Sequence, residues 1–316
     1  MNSPKTLKPT KLRKGDLIGV VTPASPIADP SRIEQGIRYL ERLGYRTIVG
    51  EHVGKVHGYL AGTDEERLAD LHSFFADRRV RAIMAVRGGY GTPRLLSKLN
   101  YRLIAQNPKI LVGFSDITAL QLALWSKCRL VTFHGPMVGV EMANLMDSFT
   151  EELFWTLLTS PRKIGPIALP FDHVPMSLHR GRGTGRLVGG NLSLLVSLLG
   201  TRFFPKHDET VLFIEEIAEE PYRIDRMMTQ LHNAGIFSKC RAILAGQFAD
   251  CVPKDQSKPS RSVDDVLNEF AQQASLPFLA SLPFGHVPRK MTLPVGLRVR
   301  VDADSRSISY LEAAVR

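Results

Sequence analysis

The sequence predicts a two-domain α/β protein, with an open parallel sheet in its N-terminal half and a smaller, more β-rich domain after it. Three observations lead to this prediction: a length of 316 residues, short apolar runs rich in β-branched residues, and amphipathic segments that alternate with those runs. A chain of this length usually divides into two domains. Strands that alternate with helices at this spacing form a parallel sheet covered by helices.

In the N-terminal half, the predicted strands and helices follow one another in strict alternation. Apolar runs predict strands at 16–22, 45–49, 82–86, 109–113 and 130–133. Amphipathic patterns predict helices at 30–43 and 63–77, near 92, and from 117. Gly44 is placed to end the first helix, and Thr63 with Glu66 predicts a capping box at the start of the second. This order is typical of an open, flavodoxin-like domain, which we expect over residues 1–158.

Four prolines, together with glycines at positions 181, 183 and 185, set residues 159–185 apart, and we expect this stretch to be a linker. Residues 186–316 are then predicted to form the second domain. Its apolar runs and amphipathic patterns predict strands at 211–214, 242–248 and 278–283, helices at 222–234 and 262–274, and a terminal hairpin of 297–301 with 307–310.

The charge of the chain points to anionic small molecules rather than to nucleic acid. The formal net charge is +10, but the basic residues are scattered and are not interleaved with aromatic residues. The sequence contains no HExxH motif and no His/Asp pair with the spacing of metal ligands, so we expect no metal ion. No motif indicates a cofactor.

The cysteines and the hydropathy pattern predict a cytoplasmic protein. The three cysteines are an odd number without CxxC spacing, which favours reduced thiols over a disulfide framework. The apolar run at 17–21 is too short for a signal or membrane segment, so we expect no membrane partner.

Ser115 lies at a tight corner between a predicted buried strand and a predicted helix. A serine on such a corner is presented at the top of the sheet, beside the N–H groups of the helix start. Serine is also a favoured N-cap residue, so a purely structural role is equally compatible with this position. The surrounding residues do not form a GxSxG motif, because position 117 is Ile.

Residues with acid–base chemistry also follow two other predicted strand ends, where ligands of open α/β sheets bind. Glu215 and Glu216 follow the strand at 211–214, and His286 follows the strand at 278–283. Glu215 directly continues the apolar run, and Glu216 is expected to point the opposite way. A serine, an acid and a histidine can together form a nucleophilic triad. Each of these side chains could instead be an ordinary surface residue.

The third candidate feature is a glycine loop, Arg87-Gly88-Gly89-Tyr90-Gly91. Glycines after a strand let the backbone approach a ligand closely. One possible use is an oxyanion hole, formed by the N–H of a glycine of this loop with the N–H of Asp116. The other is a phosphate site, but the spacing matches neither GxGxxG nor GxxxxGK[ST].

Together, these sequence motifs resemble those of the LD-carboxypeptidase family. Its members are serine peptidases, and the microcin C immunity proteins are their relatives. The motifs that carry the resemblance are Val21-Thr22-Pro23-Ala24-Ser25, Arg87-Gly88-Gly89-Tyr90-Gly91, Gly113-Phe114-Ser115-Asp116, His134-Gly135-Pro136, Gly189-Gly190-Asn191-Leu192, Phe213-Ile214-Glu215-Glu216, Tyr222-Arg223-Ile224-Asp225-Arg226 and Gly285-His286. They are spread over nearly the whole chain. The family usually has Glu-Asp where this chain has Glu215-Glu216.

The resemblance implies Ser115 as nucleophile, Glu215 as orienting acid and His286 as general base. It also implies oxyanion N–H groups from Gly88 or Gly89 and Asp116, and homodimers with the active site between the two domains of each subunit. The implied reaction is hydrolysis of the bond between an L-configured centre and a terminal D-alanine, in murein tetrapeptides released during cell-wall recycling.

Two other functions fit the same residues. One is an immunity-type hydrolase that cleaves aminoacyl-nucleotide amides, which would need aromatic side chains for the nucleobase. Trp125 and Trp155 lie in helix-like stretches and suggest core packing instead. The other is a non-catalytic, two-lobed anion-binding protein.

Overall fold

The computed structural model describes residues 5–205, 209–255 and 257–316. The chain divides into two compact units. Unit 1 comprises the residues up to Arg162 together with Met291–Gly296 and Ala313–Arg316. Unit 2 comprises Lys163–Lys290 and Leu297–Glu312.

The elements up to residue 162 alternate between strand and helix as predicted, except that the helix predicted near residue 92 is a short 3₁₀ helix followed by a second, separate helix. In chain order they are β1 Leu17–Val21, α1 Ser31–Arg42, β2 Arg46–Val49, α2 Asp64–Ala76, β3 Val80–Ala85, a 3₁₀ helix Thr92–Leu95, α3 Tyr101–Gln106, β4 Ile110–Gly113, α4 Ile117–Cys128, β5 Thr132–His134 and α5 Ser148–Thr159. Thr63 and Glu66 form the capping box predicted for α2.

The rest of the chain carries more β structure. In order, the elements are β6 Gly165–Pro166, β7 Met176–His179, β8 Arg182–Asn191, α6 Leu192–Leu198, β9 Thr210–Ile217, α7 Pro221–Asn233, a 3₁₀ helix Phe237–Lys239, β10 Cys240–Ala249, α8 Val263–Ala274, β11 Phe278–Ala280, β12 Leu293–Val295, β13 Arg298–Asp302 and β14 Ser307–Tyr310. The stretch 159–185, expected as a linker, therefore contains β6, β7 and the start of β8.

Unit 1 is built on a six-stranded sheet in the order β12-β5-β4-β3-β1-β2. Its strands run parallel, except β12, which pairs antiparallel with β5. Strand β4 is buried throughout, and ten of the twelve residues of α4 are buried against it and its surroundings. Because β1, β3 and β4 are parallel neighbours, the loops that follow them emerge at the same edge of the sheet.

Unit 2 is built on an eight-stranded mixed sheet in the order β6-β14-β13-β8-β9-β10-β11-β7. Strands β8, β9, β10 and β11 are parallel, and antiparallel strands flank them on both sides. The predicted terminal hairpin is present as β13 and β14. The predicted α/β class, with a parallel N-terminal sheet and a β-rich C-terminal part, is confirmed.

Strand β9 is longer than its apolar run predicted. The run ends at Ile214, but the pairing with β8 continues to Glu215 and the strand to Ile217. The prediction that the two acids follow the strand was therefore wrong: Glu215 and Glu216 lie inside it. A polar residue can occupy a buried strand when its side chain is hydrogen-bonded there, and both carboxylates have such partners.

Candidate active site

Ser115 occupies a strained corner between β4 and α4. Its φ is 61°, in the left-handed region that non-glycine residues seldom adopt. The N-cap residue of α4 is Asp116 rather than Ser115, and it makes no side-chain cap bond. The alternative prediction of Ser115 as N-cap was therefore wrong. A left-handed serine between a buried strand and a helix is the geometry that presents a nucleophilic hydroxyl.

The glycine loop after β3 lies directly against Ser115. A Cβ atom added to Gly88 would lie 2.8 Å from Ser115 Cβ, 3.0 Å from its Oγ and 3.2 Å from the backbone nitrogen of Asp116. No other residue fits at position 88 without displacing the serine. The backbone of the loop and the N–H of Asp116 thus border the same hydroxyl, as a site for an oxyanion requires.

The side chain of Asp116 binds the far end of this loop. Its two carboxylate oxygens accept hydrogen bonds from the N–H of Gly91 at 3.2 Å and of Thr92 at 2.8 Å. The Thr92 hydroxyl donates to the backbone carbonyl of Asp116 at 2.5 Å. Burial raises the pKa of Asp116, whose side chain is almost wholly enclosed. Sequence reasoning assigned only the N–H of Asp116 and missed its carboxylate, because no local pattern links residues 24 or 25 positions apart.

In unit 2, Glu215 and His286 form a hydrogen-bonded pair. Glu215 is completely buried in β9, and its Oε2 lies 2.8 Å from Nδ1 of His286. The imidazole keeps 17% of its side-chain surface exposed. A carboxylate only accepts hydrogen bonds, so a neutral imidazole in this contact has its proton on Nδ1 and its lone pair on Nε2. That tautomer is the one a general base requires.

Gly285 allows this pair to form. Its φ is 108°, and an added Cβ would lie 3.0 Å from both Cβ and Oε2 of Glu215. The preceding segment is held along β10, because Gln247 N donates to Phe284 O at 2.9 Å. A larger residue at 285 would have to displace either the carboxylate or the histidine.

Glu216 faces the opposite side of β9 and has a different set of partners. Its carboxylate accepts hydrogen bonds from Asn191 Nδ2 at 2.7 Å, from the N–H and Oγ of Ser193 at 2.8 and 2.7 Å, and from the N–H of Ile217 at 2.9 Å. Burial raises its pKa. Of the two acids, Glu215 contacts the histidine, and Glu216 holds the start of α6 against β9.

Two family models match the chain, one in each half. The model of the LD-carboxypeptidase N-terminal domain matches residues 18–135, and that of the C-terminal domain matches residues 184–301. The chain belongs to the LD-carboxypeptidase family. The first match includes Ser115 and the glycine loop, and the second includes Glu215 and His286. The chain is therefore a carboxypeptidase of this family.

Proteins similar to this LD-carboxypeptidase include enzymes named as murein peptide carboxypeptidases and a microcin self-immunity protein. The chain is 39% identical over 314 residues to the probable murein peptide carboxypeptidase of Bacillus subtilis strain 168, covering 98% of this chain and 95% of that protein. It is similar to the muramoyltetrapeptide carboxypeptidase structure from Oxalobacter formigenes, with TM-score 0.82 and 31% identity over 93% of this chain and 97% of that chain.

The carboxypeptidase is also similar to an immunity protein. The microcin C7 self-immunity protein MccF of Escherichia coli is 29% identical over 331 residues, covering 95% of this chain and 94% of that protein. A structure of MccF in complex with aspartyl sulfamoyl adenosine matches with TM-score 0.90 and 27% identity, over 98% of this chain and 100% of that chain.

The thiols of this carboxypeptidase are expected to be inert towards alkylation at neutral pH. Burial raises the pKa of Cys128 and of Cys251 to about 11 and that of Cys240 to about 12. Alkylation needs the thiolate, so iodoacetamide at pH 7 should leave hydrolytic activity unchanged. Mass spectrometry of the treated protein should show labelling only after denaturation. Loss of activity in step with labelling of the folded protein would contradict this prediction.

Among the residues that the structure describes, no helix combines the length and the hydrophobicity needed to cross a lipid bilayer.

Proposed function

We propose that this carboxypeptidase hydrolyses the amide bond between an L-configured centre and the terminal D-alanine of murein tetrapeptides, with Ser115, His286 and Glu215 as its catalytic triad. The observation that carries the proposal is the fully buried carboxylate of Glu215, 2.8 Å from Nδ1 of an accessible histidine. The left-handed Ser115 under the glycine loop supports it independently.

In the proposed reaction, Nε2 of His286 takes the proton of the Ser115 hydroxyl as its Oγ attacks the scissile carbonyl carbon. The carbonyl oxygen becomes an oxyanion, which the N–H groups of Asp116 and of Gly88 or Gly89 stabilise. The carbon–nitrogen bond then breaks, and the amine of D-alanine leaves with the proton from Nε2. Water, activated by the same histidine, hydrolyses the acyl-enzyme and regenerates Ser115.

Glu215 contributes electrostatically and by orientation. Its negative charge stabilises the imidazolium that forms during attack, and its hydrogen bond fixes the Nδ1–H tautomer. Because Glu215 is buried in a strand, its position is held by the sheet rather than by a flexible loop.

The relatives suggest the class of substrate, and the composition suggests an anionic ligand and the cellular compartment. The probable murein peptide carboxypeptidase and the muramoyltetrapeptide carboxypeptidase named above suggest a small peptide with a free C-terminal carboxylate. A net charge of +10 favours binding of such an anion. Three buried, unpaired cysteines suit a reducing compartment. We propose a cytoplasmic enzyme, acting as a homodimer as the family resemblance implies.

A second candidate function is hydrolysis of aminoacyl-nucleotide amides. The similarity to MccF in complex with aspartyl sulfamoyl adenosine favours it. The tryptophans give no support for a base-stacking site, because Trp125 is buried and Trp155 stacks on Tyr45 with ring centroids 5.0 Å apart.

A substrate comparison tests the proposal. Purified protein is incubated with a murein tetrapeptide ending in D-alanine, with the same peptide ending in L-alanine, and with an aminoacyl sulfamoyl adenosine, and products are quantified by mass spectrometry. We expect release of D-alanine with kcat/KM at least about 100-fold above that for the other two compounds. In those compounds the scissile carbonyl would be poorly oriented towards the attacking hydroxyl, and poor orientation lowers the rate strongly. Preferential cleavage of the nucleotide compound would favour the second function, and no cleavage of any would favour a binding protein.

A further inference from the structure

Ser25 connects the segment after β1 to the glycine loop after β3. Its backbone N–H donates to the carbonyl of Gly88 at 3.4 Å. Its hydroxyl accepts a hydrogen bond from the N–H of Tyr90 at 3.0 Å and donates one to the carbonyl of Tyr59 at 2.8 Å. One serine therefore binds the loop on both sides of Gly89.

The side chain of Ser25 is also in close contact with the backbone of Gly89 in this loop. A Cβ added to Gly89 would lie 2.4 Å from Ser25 Oγ and 2.5 Å from its Cβ. The glycine backbone thus rests directly on the serine side chain. Glycine-rich loops have many accessible conformations, so contacts of this kind decide which conformation is populated.

The carboxylate of Asp116 holds the other end of the same loop. With Ser25, it binds three successive N–H groups, those of Tyr90, Gly91 and Thr92. The N–H groups of Gly88 and Gly89, assigned above to the oxyanion, come just before these three. The two side chains therefore hold the stretch of the loop that directly follows the N–H groups assigned to the oxyanion.

We propose that Ser25 and the carboxylate of Asp116 are positioning residues that hold the glycine loop in the conformation that receives the oxyanion. This inference rests on the proposed peptidase function. An oxyanion hole stabilises charge only when its donors are already in place before the reaction. Loosening the loop should therefore weaken binding of the transition state more than binding of the substrate.

The test compares Ser25→Ala with Ser25→Thr, which keeps a hydroxyl. Release of D-alanine is measured at varied tetrapeptide concentration. For Ser25→Ala we expect kcat to fall about 10- to 100-fold with KM changed less than about threefold, since a misplacement of about 1 Å can cost about 100-fold. Ser25→Thr should recover most of the lost kcat. Ser262→Ala is the matched control, because this serine also accepts from a backbone N–H and donates through its hydroxyl, in the capping box of α8; it should keep the wild-type kcat.

Asp116→Asn tests the second contact independently of Ser25. An amide has one acceptor oxygen for the two N–H groups of Gly91 and Thr92, so we expect a fall in kcat of at least about 10-fold, again with little change in KM. Circular dichroism and thermal melting confirm folding of each variant, and this second variant decides the question if Ser25→Ala does not fold.

The outcomes separate this inference from the proposed function. If Ser115→Ala is inactive but folded Ser25→Ala and Asp116→Asn keep the wild-type kcat, the positioning role is overturned and the triad stands. A rise in KM alone, or an equal loss of kcat in Ser262→Ala, would also overturn it. If Ser115→Ala remains active, the proposed function itself fails.

Discussion

Replacing Ser115 by alanine is expected to lower kcat for D-alanine release by about a millionfold, since removal of the nucleophile of a serine protease has an effect of that order. The substitution removes a single oxygen atom from a corner that is already in the left-handed region, at φ 61°. Alanine and serine pay a similar steric cost there, so the fold should be retained. The measurement is single-turnover and steady-state release of D-alanine from a murein tetrapeptide.

Ser275→Ala is the matched control for that experiment. Ser275 is another serine with positive φ, 50°, at the C-cap of α8, and its hydroxyl donates to Gln272 O at 3.0 Å. This variant measures the stability cost of alanine in the left-handed region away from the site, and its kcat should equal that of the wild type.

Covalent labelling gives a second test of Ser115. A fluorophosphonate should add its mass to the wild-type protein and not to Ser115→Ala. Turnover by Ser115→Ala within tenfold of the wild type would mean that another group attacks the substrate.

The sequence was sufficient to predict the elements that hold Ser115 and the glycine loop. Ile110–Gly113 is a continuous apolar run, and α4 follows it at helical spacing. Burial of apolar surface determines both elements, and it is visible in the local pattern. The chain order of a serine, an acid and a histidine near strand ends then led to Ser115, Glu215 and His286 as candidates.

Features that depend on distant partners could not be predicted in the same way. Strand β12, Leu293–Val295, has three residues with a proline in the middle, and it is a strand only because β5 lies beside it. Strand β9 extends through Glu215 and Glu216, whose carboxylates bind His286 and Asn191, residues far away in the sequence. The bonds of Ser25 and Asp116 to the glycine loop span up to 65 residues, and no periodic pattern in the sequence reports them.

The two adjacent acids of β9 allow a sharp test of the triad. Glu215→Gln should lower kcat about 10,000-fold, the order of effect seen when the acid of a serine protease triad is lost. A glutamine lacks the charge that stabilises the imidazolium, and its NH₂ can donate to Nδ1 of His286 and so select the wrong tautomer. The side chain at 215 would still lie about 2.8 Å from Nδ1 of His286, but it would neither stabilise the imidazolium nor fix the Nδ1–H tautomer. The measurement is kcat for release of D-alanine.

Glu216→Gln is the matched control, with the same chemical change one residue further along the strand. Its carboxylate accepts four hydrogen bonds, and glutamine leaves some of those donors unpaired, so the free energy of unfolding should fall by about 1–3 kcal/mol. The folded variant should turn over substrate within about threefold of the wild type, because none of the four donors belongs to the triad.

The pH dependence of stability distinguishes the role of Glu216 further. Burial raises its pKa in the folded state above the usual 4.5, so the native state binds the proton more tightly than the unfolded chain. The stabilisation that this protonation contributes is fully present below pH 4.5 and is lost as the pH rises through the folded pKa. Urea unfolding across that range should therefore show the wild type losing stability relative to Glu216→Gln as the pH rises. If Glu216→Gln instead abolished turnover in a stably folded protein and Glu215→Gln did not, the roles of the two acids would be reversed.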